Sequence, residues 1–469
     1  MNTKAITICG KLGAALYVRS YNEVGNGFVF MANKDGRDFL VAFGVDGFEG
    51  EKRCCEKCGS TLTIAEKTYA NAKRLRELFP FTAPSPVLRQ KKSFGVGDRL
   101  GIAIPGHIRV FEKYPDVYPV FAQQSIRELN LTNRTYSDVL DAVTYGVYRD
   151  GFKRPWGADG DHLKKEEDVR MALDLGFSMI TLDCSEHIHG EDGLNRNAPD
   201  APAYVGKTFV LDNGLSVSYT ADSFARISYV YGEMIGFACS IWDKFFASSQ
   251  KADFELSIDE TATPTDPAAH YYVANELTKH GVKLATVAPR FCGEFQKGID
   301  YIGDVDRFDA ELKYHAAIAR KFGYKLSIHS GSDKFSVFPS IGRETGGNFH
   351  VKTAGTNWLE AMRVVAQADP AFYRELHKFA LAHFEEATKY YHVTTNLNNI
   401  PDVDTVADAD LPALFANNDS RQLIHITYGL ILCVPAYREK LYRLWADNEI
   451  KYTAALLNHI GRHLELLGC

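Results

Sequence analysis

No stretch of this sequence approaches the roughly 18 consecutive apolar residues that a membrane-spanning helix needs. The first residues, MNTKAITICGKLGAALYV, lack the long uncharged apolar stretch and the cleavage site of a secretory signal. The nine cysteines are an odd number scattered over a long chain, which is not the pattern of a disulfide framework. These absences lead us to expect a cytoplasmic protein that has no membrane partner.

The chain also lacks the charge and the loops that nucleic-acid or nucleotide partners require. Its formal net charge is −6, and no block of Lys and Arg interleaved with aromatic residues offers a basic surface. No P-loop occurs, so nucleoside triphosphate chemistry has no support. The glycines of GVGDRLG precede an apolar run that we interpret as a strand. A dinucleotide loop would instead follow a strand and open a helix, so we do not expect a nicotinamide site there.

What the chain does have is a repeated pattern of short apolar runs that end in polar residues, most of them followed by helical spacing. Eight strands alternating with helices are typical of a (β/α)8 barrel of the TIM type, whose active sites lie at the carboxyl ends of the strands. The eight runs are GIAIPGH, PVFAQQS, GADGDH, MITLDC, FELSIDE, LATVAPRF, KLSIHSG and FHVKTAG. The polar residues at their ends include Gln123, Gln124, Asp161, His162, Asp183, Asp259, Glu260, Arg290, His329 and Lys352.

The length of 469 residues exceeds one barrel, so we predict extensions on both sides. Residues 1–88 are predicted to form an α/β segment, with strand-like alternation in GFVFMAN and DFLVAFGV, that ends in a proline-rich linker. The catalytic barrel is assigned to 93–400 with an inserted loop at about 185–222, and 401–469 to a helical extension. A long loop at the catalytic face of a barrel often acts as a lid or a substrate wall.

The polar residues of the strands follow a period of two, which places them on one face. Glu255 and Asp259 share a face in FELSIDE, and His329 lies on the polar face of KLSIHSG. Histidines and carboxylates gathered at the barrel mouth predict a divalent metal ion. His162 and His329 are its best ligand candidates, because each lies at a strand end beside an acid or a hydroxyl. His315 lies on the apolar stripe of a helix, and we predict that it is a core residue.

The only CxxC group of the sequence comprises Cys55 and Cys58 and is preceded by Cys54. Zinc ribbons need two such pairs, and neither a second pair nor a histidine lies nearby. We therefore interpret this group as a solvent-facing turn without a metal or redox role.

Six strings of this sequence resemble the tagaturonate/fructuronate epimerase family in order and spacing: SFGVGDRLGIAIPGH, FAQQSIREL, GADGDH, ELSIDETATPT, IHSGSDKFSV and HVKTAGT. The resemblance runs from roughly Phe79 to the C-terminus and is loose over the first 80 residues. It implies a metal-dependent enzyme of hexuronate catabolism that interconverts D-tagaturonate and D-fructuronate.

The resemblance also implies roles for particular positions. Asp161 would be the proton acceptor and Glu255 the proton donor, while Lys297 in GEFQKGID would bind the substrate. His162 and His329 would bind one divalent metal ion, with Zn, Mn, Ni, Co and Fe all open. Further metal ligands could come from Asp183, Asp259 and Glu260, and the substrate carboxylate could bind Lys297, Arg290 or Lys334.

The two sugar acids differ at a hydroxyl-bearing carbon that is not adjacent to the ketone, so its C–H bond is not acidified. We therefore predict retro-aldol cleavage and re-addition, with a metal stabilising the enediolate. Two alternatives stay open. One is a metal-dependent hexulosonate aldolase or isomerase, and the other is a non-catalytic protein that binds a metal and a sugar acid. The expected partner is a small sugar acid, and a homo-oligomer is compatible with the sequence.

Overall fold

The computed structural model describes residues 3–55, 60–249 and 251–469. The predicted turn at Cys55–Cys58 lies largely outside these residues, and its interpretation stays a prediction. Cys54 lies at the end of an N-terminal antiparallel sheet with the order β1-β3-β4-β6-β5, in which β2 pairs with β3. The strands of this sheet are β1 (Ala15–Leu16), β2 (Asn22–Val24), β3 (Gly27–Lys34), β4 (Arg37–Phe43), β5 (Glu51–Cys55) and β6 (Ser60–Ala65).

The N-terminal segment also contains two helices, α1 (Thr3–Leu12) and α2 (Tyr69–Leu78). Its sheet packs against the rest of the chain, because Val29 and Met31 share a buried cluster with Tyr145 and Tyr148 of a barrel helix. The Tyr148 hydroxyl donates to the carbonyl of Val29 at 2.8 Å.

A closed barrel of eight parallel strands forms the centre of the molecule, which confirms the predicted fold class. The barrel strands follow one another around the ring in the order of the chain, if an inserted hairpin is not counted. The barrel strands are β7 (Lys92–Val96), β8 (Val117–Ser125), β9 (Gly157–Leu163), β10 (Met179–Asp183), β13 (Asp253–Ile258), β14 (Thr286–Pro289), β15 (Lys325–Ile328) and β16 (Phe349–Thr353), and the inserted hairpin is β11 (Thr208–Val210) and β12 (Ser216–Ser218).

The first predicted strand was wrong. The run GIAIPGH is a turn that leads into a helix, α3 (Ile104–Lys113), and the first barrel strand is β7. A short apolar run has no periodicity that separates a strand from a buried helix, and Pro105 is well suited to the first turn of a helix. GVGDRLG therefore does connect a strand to a helix. However, the carboxylate of Asp98 accepts from the backbone N–H groups of Leu100 and Ala103, so these donors are not free for a phosphate.

Helices connect and surround the barrel strands. After α3 they are α4 (Ile126–Thr132), α5 (Tyr136–Asp150), α6 (Glu166–Leu175), α7 (Ala201–Tyr204), α8 (Ala221–Phe245), α9 (Pro267–His280), α10 (Val305–Phe322), α11 (Phe338–Glu344) and α12 (Thr356–Ala368). Local sequence explains their ends: α6 begins with three acidic residues, which favour the helix N-terminus, and is followed by Gly176 at φ 92°. The predicted stripe of α10 is buried, and His315 within it contacts His270.

The chain continues through a second set of helices that shares the main core with the barrel. They are α13 (Pro370–Ala382), α14 (Phe384–Ala387), α15 (Asn418–Ile426), α16 (Tyr428–Cys433), α17 (Pro435–Asp447) and α18 (Glu449–Leu466). Short 3₁₀ turns lie at Val18–Ser20, Pro80–Thr82, Ser185–His187, Leu397–Asn399 and Asp408–Ala416. The indole of Trp358 in α12 donates to the Ile424 carbonyl of α15, which ties this set to the barrel. None of the described helices is both long and apolar enough to span a membrane.

Candidate active site

A cavity of about 860 Å³ opens at the carboxyl ends of the barrel strands, where the fold class places chemistry. Asp161, His162, Asp259, His329 and Lys352 line it together with residues from the part of the chain that follows the barrel. The cavity is therefore formed by strand ends and by loops that come from distant parts of the chain.

Two consecutive residues of GADGDH take part in this site because strand β9 is irregular there. Gly160 pairs with Ile180 and Leu163 pairs with Leu182, so two residues of β9 stand opposite one residue of β10. His162 within this bulge has φ 55°, a left-handed conformation that non-glycine residues adopt infrequently. A bulge can redirect a side chain, and Asp161 and His162 both line the cavity as a result.

His162 and His329 lie next to each other, with ring centroids 4.8 Å apart. Asp259 joins them: its Oδ1 lies 3.2 Å from Nδ1 of His329 and 4.0 Å from Nε2 of His162. The Nδ1 atom of His329 is buried and makes no hydrogen bond within the described chain. These three side chains offer one ligand atom each within 4.8 Å of one another, which suits a borderline divalent metal ion with further positions open to water or substrate.

In each histidine, the ring nitrogen that does not face Asp259 lies next to another carboxylate. Nδ1 of His162 lies 2.8 Å from Oδ1 of Asp161, and Nε2 of His329 lies 2.7 Å from Oε1 of Glu255. A carboxylate on the far nitrogen fixes the tautomer and the ring orientation of a metal-binding histidine. The nitrogens that remain, Nε2 of His162 and Nδ1 of His329, are those nearest to Asp259.

Lys352 of strand β16 contacts three buried carboxylates, two of which also hold the histidines. No role could be assigned to Lys352 from the sequence. Its buried ammonium lies 2.6 Å from Asp159, 2.5 Å from Asp161 and 3.3 Å from Glu255. Burial raises the pKa of Asp159 to about 7. Burial acts in the same direction on Asp161 and Glu255, but the charge of Lys352 and of the histidines holds the pKa of both below the usual range. Asp159 lies two residues before Asp161, so the alternation along the strand places both side chains on the same face. This alternation could have identified Asp159 as a residue of the site.

We expect Lys352→Met to lower the free energy of unfolding by about 3–5 kcal/mol, because buried carboxylates lose their cation. The matched control is Lys325→Met in the neighbouring strand. Nζ of Lys325 donates to Gln90 O and Ser93 Oγ, both at 2.7 Å, so this change should cost about 1–3 kcal/mol. Urea unfolding followed by circular dichroism measures both variants. Equal losses would contradict a charge-balancing role for Lys352.

A cationic group of the cavity lies close to the histidines. Nζ of Lys297 donates to Oγ of Ser330 at 2.9 Å, and Ser330 directly follows His329 in the chain. Lys334, an alternative partner for the substrate carboxylate, is excluded by its contacts. Its buried ammonium donates to the carbonyls of Gln296, Ile299 and Ser332. Lys297 and Arg290 both line the cavity.

The other candidate ligands occupy different surroundings. Asp183 and Glu260 can form a second set with His162, but Nζ of Lys164 lies 3.6 Å from Asp183 and 4.0 Å from Glu260. The ammonium of Lys164 already offsets the negative charge of Asp183 and Glu260, as a bound metal ion would. Because His162 has one nitrogen free of Asp161, it can serve only one of the two sets. The set with Asp259 and His329 is therefore the better metal site.

Comparisons with known proteins identify the family of this chain. The sequence profile of the family described as tagaturonate epimerase matches residues 17–467. A tagaturonate/fructuronate epimerase of Thermotoga maritima is 39% identical over 473 residues, which cover 97% of each chain. Crystal structures of fructuronate-tagaturonate epimerase from Cohnella laeviribosi, one native and one with glycerol, are 47% identical, match both chains over 100% and give a TM-score of 0.93. This chain belongs to the tagaturonate epimerase family.

Proposed function

We propose that this protein interconverts D-tagaturonate and D-fructuronate in a reaction that depends on one divalent metal ion. The observation that carries the proposal is the meeting of His162, Asp259 and His329 in one cavity with Lys297, in a chain of this family. The cavity offers metal ligands, a cation and a proton-transfer carboxylate, which a sugar acid with a ketone requires. The cysteines whose side chains are described, such as Cys184 and Cys292, are free thiols, which supports a cytoplasmic location.

The metal ion, held by His162, Asp259 and His329, would act as a Lewis acid toward the substrate's ketone and the hydroxyl beside it. The residues of the chain provide the rest. Asp161 and Glu255 orient the two histidines, and Lys352 keeps both carboxylates charged in a buried place. Lys297 binds the substrate carboxylate through a charge-assisted hydrogen bond.

The group that loses and regains a proton is the hydroxyl on the carbon that is inverted. In the cleavage direction this hydroxyl loses its proton and becomes an aldehyde as the neighbouring carbon–carbon bond breaks. The aldehyde rotates, the bond forms again on its other face, and the new alkoxide takes up a proton. Asp161 lines the cavity and accepts the proton. Glu255 is charged at rest and fully buried behind Lys352 and His329, so it becomes the proton donor only after the ammonium of Lys352, which contacts both carboxylates, has relayed to it the proton that Asp161 accepted.

Turnover in deuterated water tests this mechanism. In a retro-aldol reaction the hydrogen on the inverted carbon remains attached throughout, first to the alcohol carbon and then to the aldehyde. We therefore expect proton NMR to show D-fructuronate whose inverted carbon carries no deuterium. Deuterium entering that position at the rate of epimerisation would contradict cleavage and indicate direct proton abstraction. Accumulation of three-carbon products would instead assign the protein to the aldolases.

A further inference from the structure

The part of the chain that follows the barrel contributes directly to the wall of the cavity. Tyr391 and His425 come from this part of the chain and line the cavity, and neither the barrel strands nor their crossover loops supply them. Gln422, one helical turn before His425, donates to the carbonyl of Lys297 at 3.3 Å. The helical extension is thus in contact with the loop that carries the cation.

Both ring nitrogens of His425 in this extension have unused hydrogen-bonding capacity. Its side chain is fully buried, yet neither Nδ1 nor Nε2 has a hydrogen-bond partner in the described parts of the chain. Burial, together with the charges of Arg99 and Lys297, holds the pKa of His425 well below its usual value. The ring is therefore neutral and offers one N–H donor and one nitrogen acceptor. Leaving such groups buried and unpaired is costly, so these nitrogens are available to hydrogen-bond a group that enters the cavity.

Two glycines make room for this ring. A Cβ atom at Gly355 would lie 1.8 Å from Cε1 of His425, and one at Gly298 would lie 2.9 Å from its Nδ1. Gly298 follows Lys297, and Gly355 follows strand β16. The barrel loops at the cavity therefore accommodate an imidazole at this position, which a larger residue in either loop would prevent.

Arg99 lines the same cavity and is held rigidly. Its Nε and Nη2 donate to Oε1 of Glu128 at 2.9 and 2.7 Å, and its guanidinium lies 3.9 Å from the ring centroid of Tyr428. Its Nη1 atom is buried and has no hydrogen-bond partner among the residues that the structure describes. Glu128 balances the charge of Arg99, so among Arg99, Glu128, Lys297 and the neutral His425 the net charge is that of Lys297.

We propose that Arg99 and His425 complete, with Lys297, the subsite that binds the carboxylate of the substrate. The inference rests on the proposed function and extends it to a residue of the helical extension. One excess positive charge matches one carboxylate. The N–H groups of Arg99 and His425 add hydrogen bonds that a neutral hydroxymethyl group would not receive with the same strength. The helices after the barrel thereby contribute to the selection of sugar acids.

His425→Phe tests the subsite, because it keeps a ring in place and removes both nitrogens. Loss of a hydrogen bond to a charged group should lower kcat/KM for D-tagaturonate about 10- to 100-fold, mainly through KM, with bound metal unchanged. The matched control is His377→Phe, which alters a buried histidine of helix α13 that also has an unpaired Nε2 but lies outside the cavity lining. We expect His377→Phe to retain the wild-type kcat/KM. Wild-type KM in His425→Phe, or a fall in kcat alone, would overturn the inference.

A double-mutant cycle tests whether His425 and Lys297 bind the same group. Lys297→Met should also reduce kcat/KM, and the double variant should lose less than the product of the two single effects. If the loss of kcat/KM in the double variant equalled the product of the two single losses, the two side chains would contact different parts of the substrate. This result would overturn the inference. Calorimetric binding of D-tagaturonate to the Zn²⁺-loaded protein is measured in parallel. Absence of wild-type turnover would overturn the proposed function, whereas binding that His425→Phe leaves unchanged would overturn the subsite.

Discussion

Replacing His329 by alanine should release the bound metal ion and reduce turnover of D-tagaturonate below detection. His329 presents its buried Nδ1 atom toward Oδ1 of Asp259 at 3.2 Å while Glu255 holds its Nε2 atom at 2.7 Å, so it supplies a ligand atom that an alanine cannot replace. Loss of outer partners alone typically costs a metal site 10- to 100-fold in affinity or activity, and loss of a ligand should cost more. His162→Ala should behave in the same way.

Metal content by elemental analysis and turnover by NMR, measured on the same preparation, check this expectation. The matched control is His315→Ala, since His315 is equally buried but pairs with His270 in the helical layer. This control should retain the metal ion even if it unfolds at a lower temperature. If His329→Ala kept stoichiometric metal and the wild-type rate, His329 would have to be removed from the site.

Asp161→Asn should lower kcat by about 10²- to 10⁴-fold at saturating metal, because the amide keeps the shape of the side chain but cannot accept the proton. The same change also weakens the hold on His162, which should reduce metal affinity about 10- to 100-fold. Titration with metal separates the two effects: the affinity loss disappears when metal is in excess, whereas the loss of proton transfer persists.

Glu255→Gln should show the same pattern with a larger structural component, since Glu255 is fully buried and contacts both His329 and Lys352. Asp183→Asn is the matched control for Asp161→Asn, because Asp183 lies at the end of the adjacent strand and also lines the cavity. It should change kcat by less than tenfold. Full recovery of Asp161→Asn in excess metal would show that Asp161 only orients His162.

Regular alternation explains which parts of this molecule the sequence could predict. Repeated strand ends predicted the barrel, and the period of two placed Glu255, Asp259 and His329 on the interior face, where the structure has them in contact. The error at GIAIPGH has the opposite cause, because a continuous apolar run carries no period. The neighbouring position of Asp161 and His162 depends on a bulge, which sequence alternation cannot indicate.

Contacts between distant strands were beyond prediction for a geometric reason. Lys352 meets Asp159 and Glu255 only because the barrel closes, and nothing in the sequence near Lys352 specifies these partners. His425 gave no signal at all, since a single histidine in a helical tail has no pattern. It becomes a candidate through its burial and its two unpaired nitrogens.

We propose that this cavity epimerises a hexulosonate with the aid of a metal ion bound by His162, Asp259 and His329. The most direct test is a proton NMR time course of D-tagaturonate with chelator-treated protein, before and after addition of Mn²⁺, Ni²⁺, Co²⁺ or Zn²⁺ in separate samples. We expect no conversion before addition, and D-fructuronate approaching a fixed ratio with D-tagaturonate after addition of at least one metal. Unchanged conversion by the metal-free protein, or no D-fructuronate with any of the four metals, would contradict the claim.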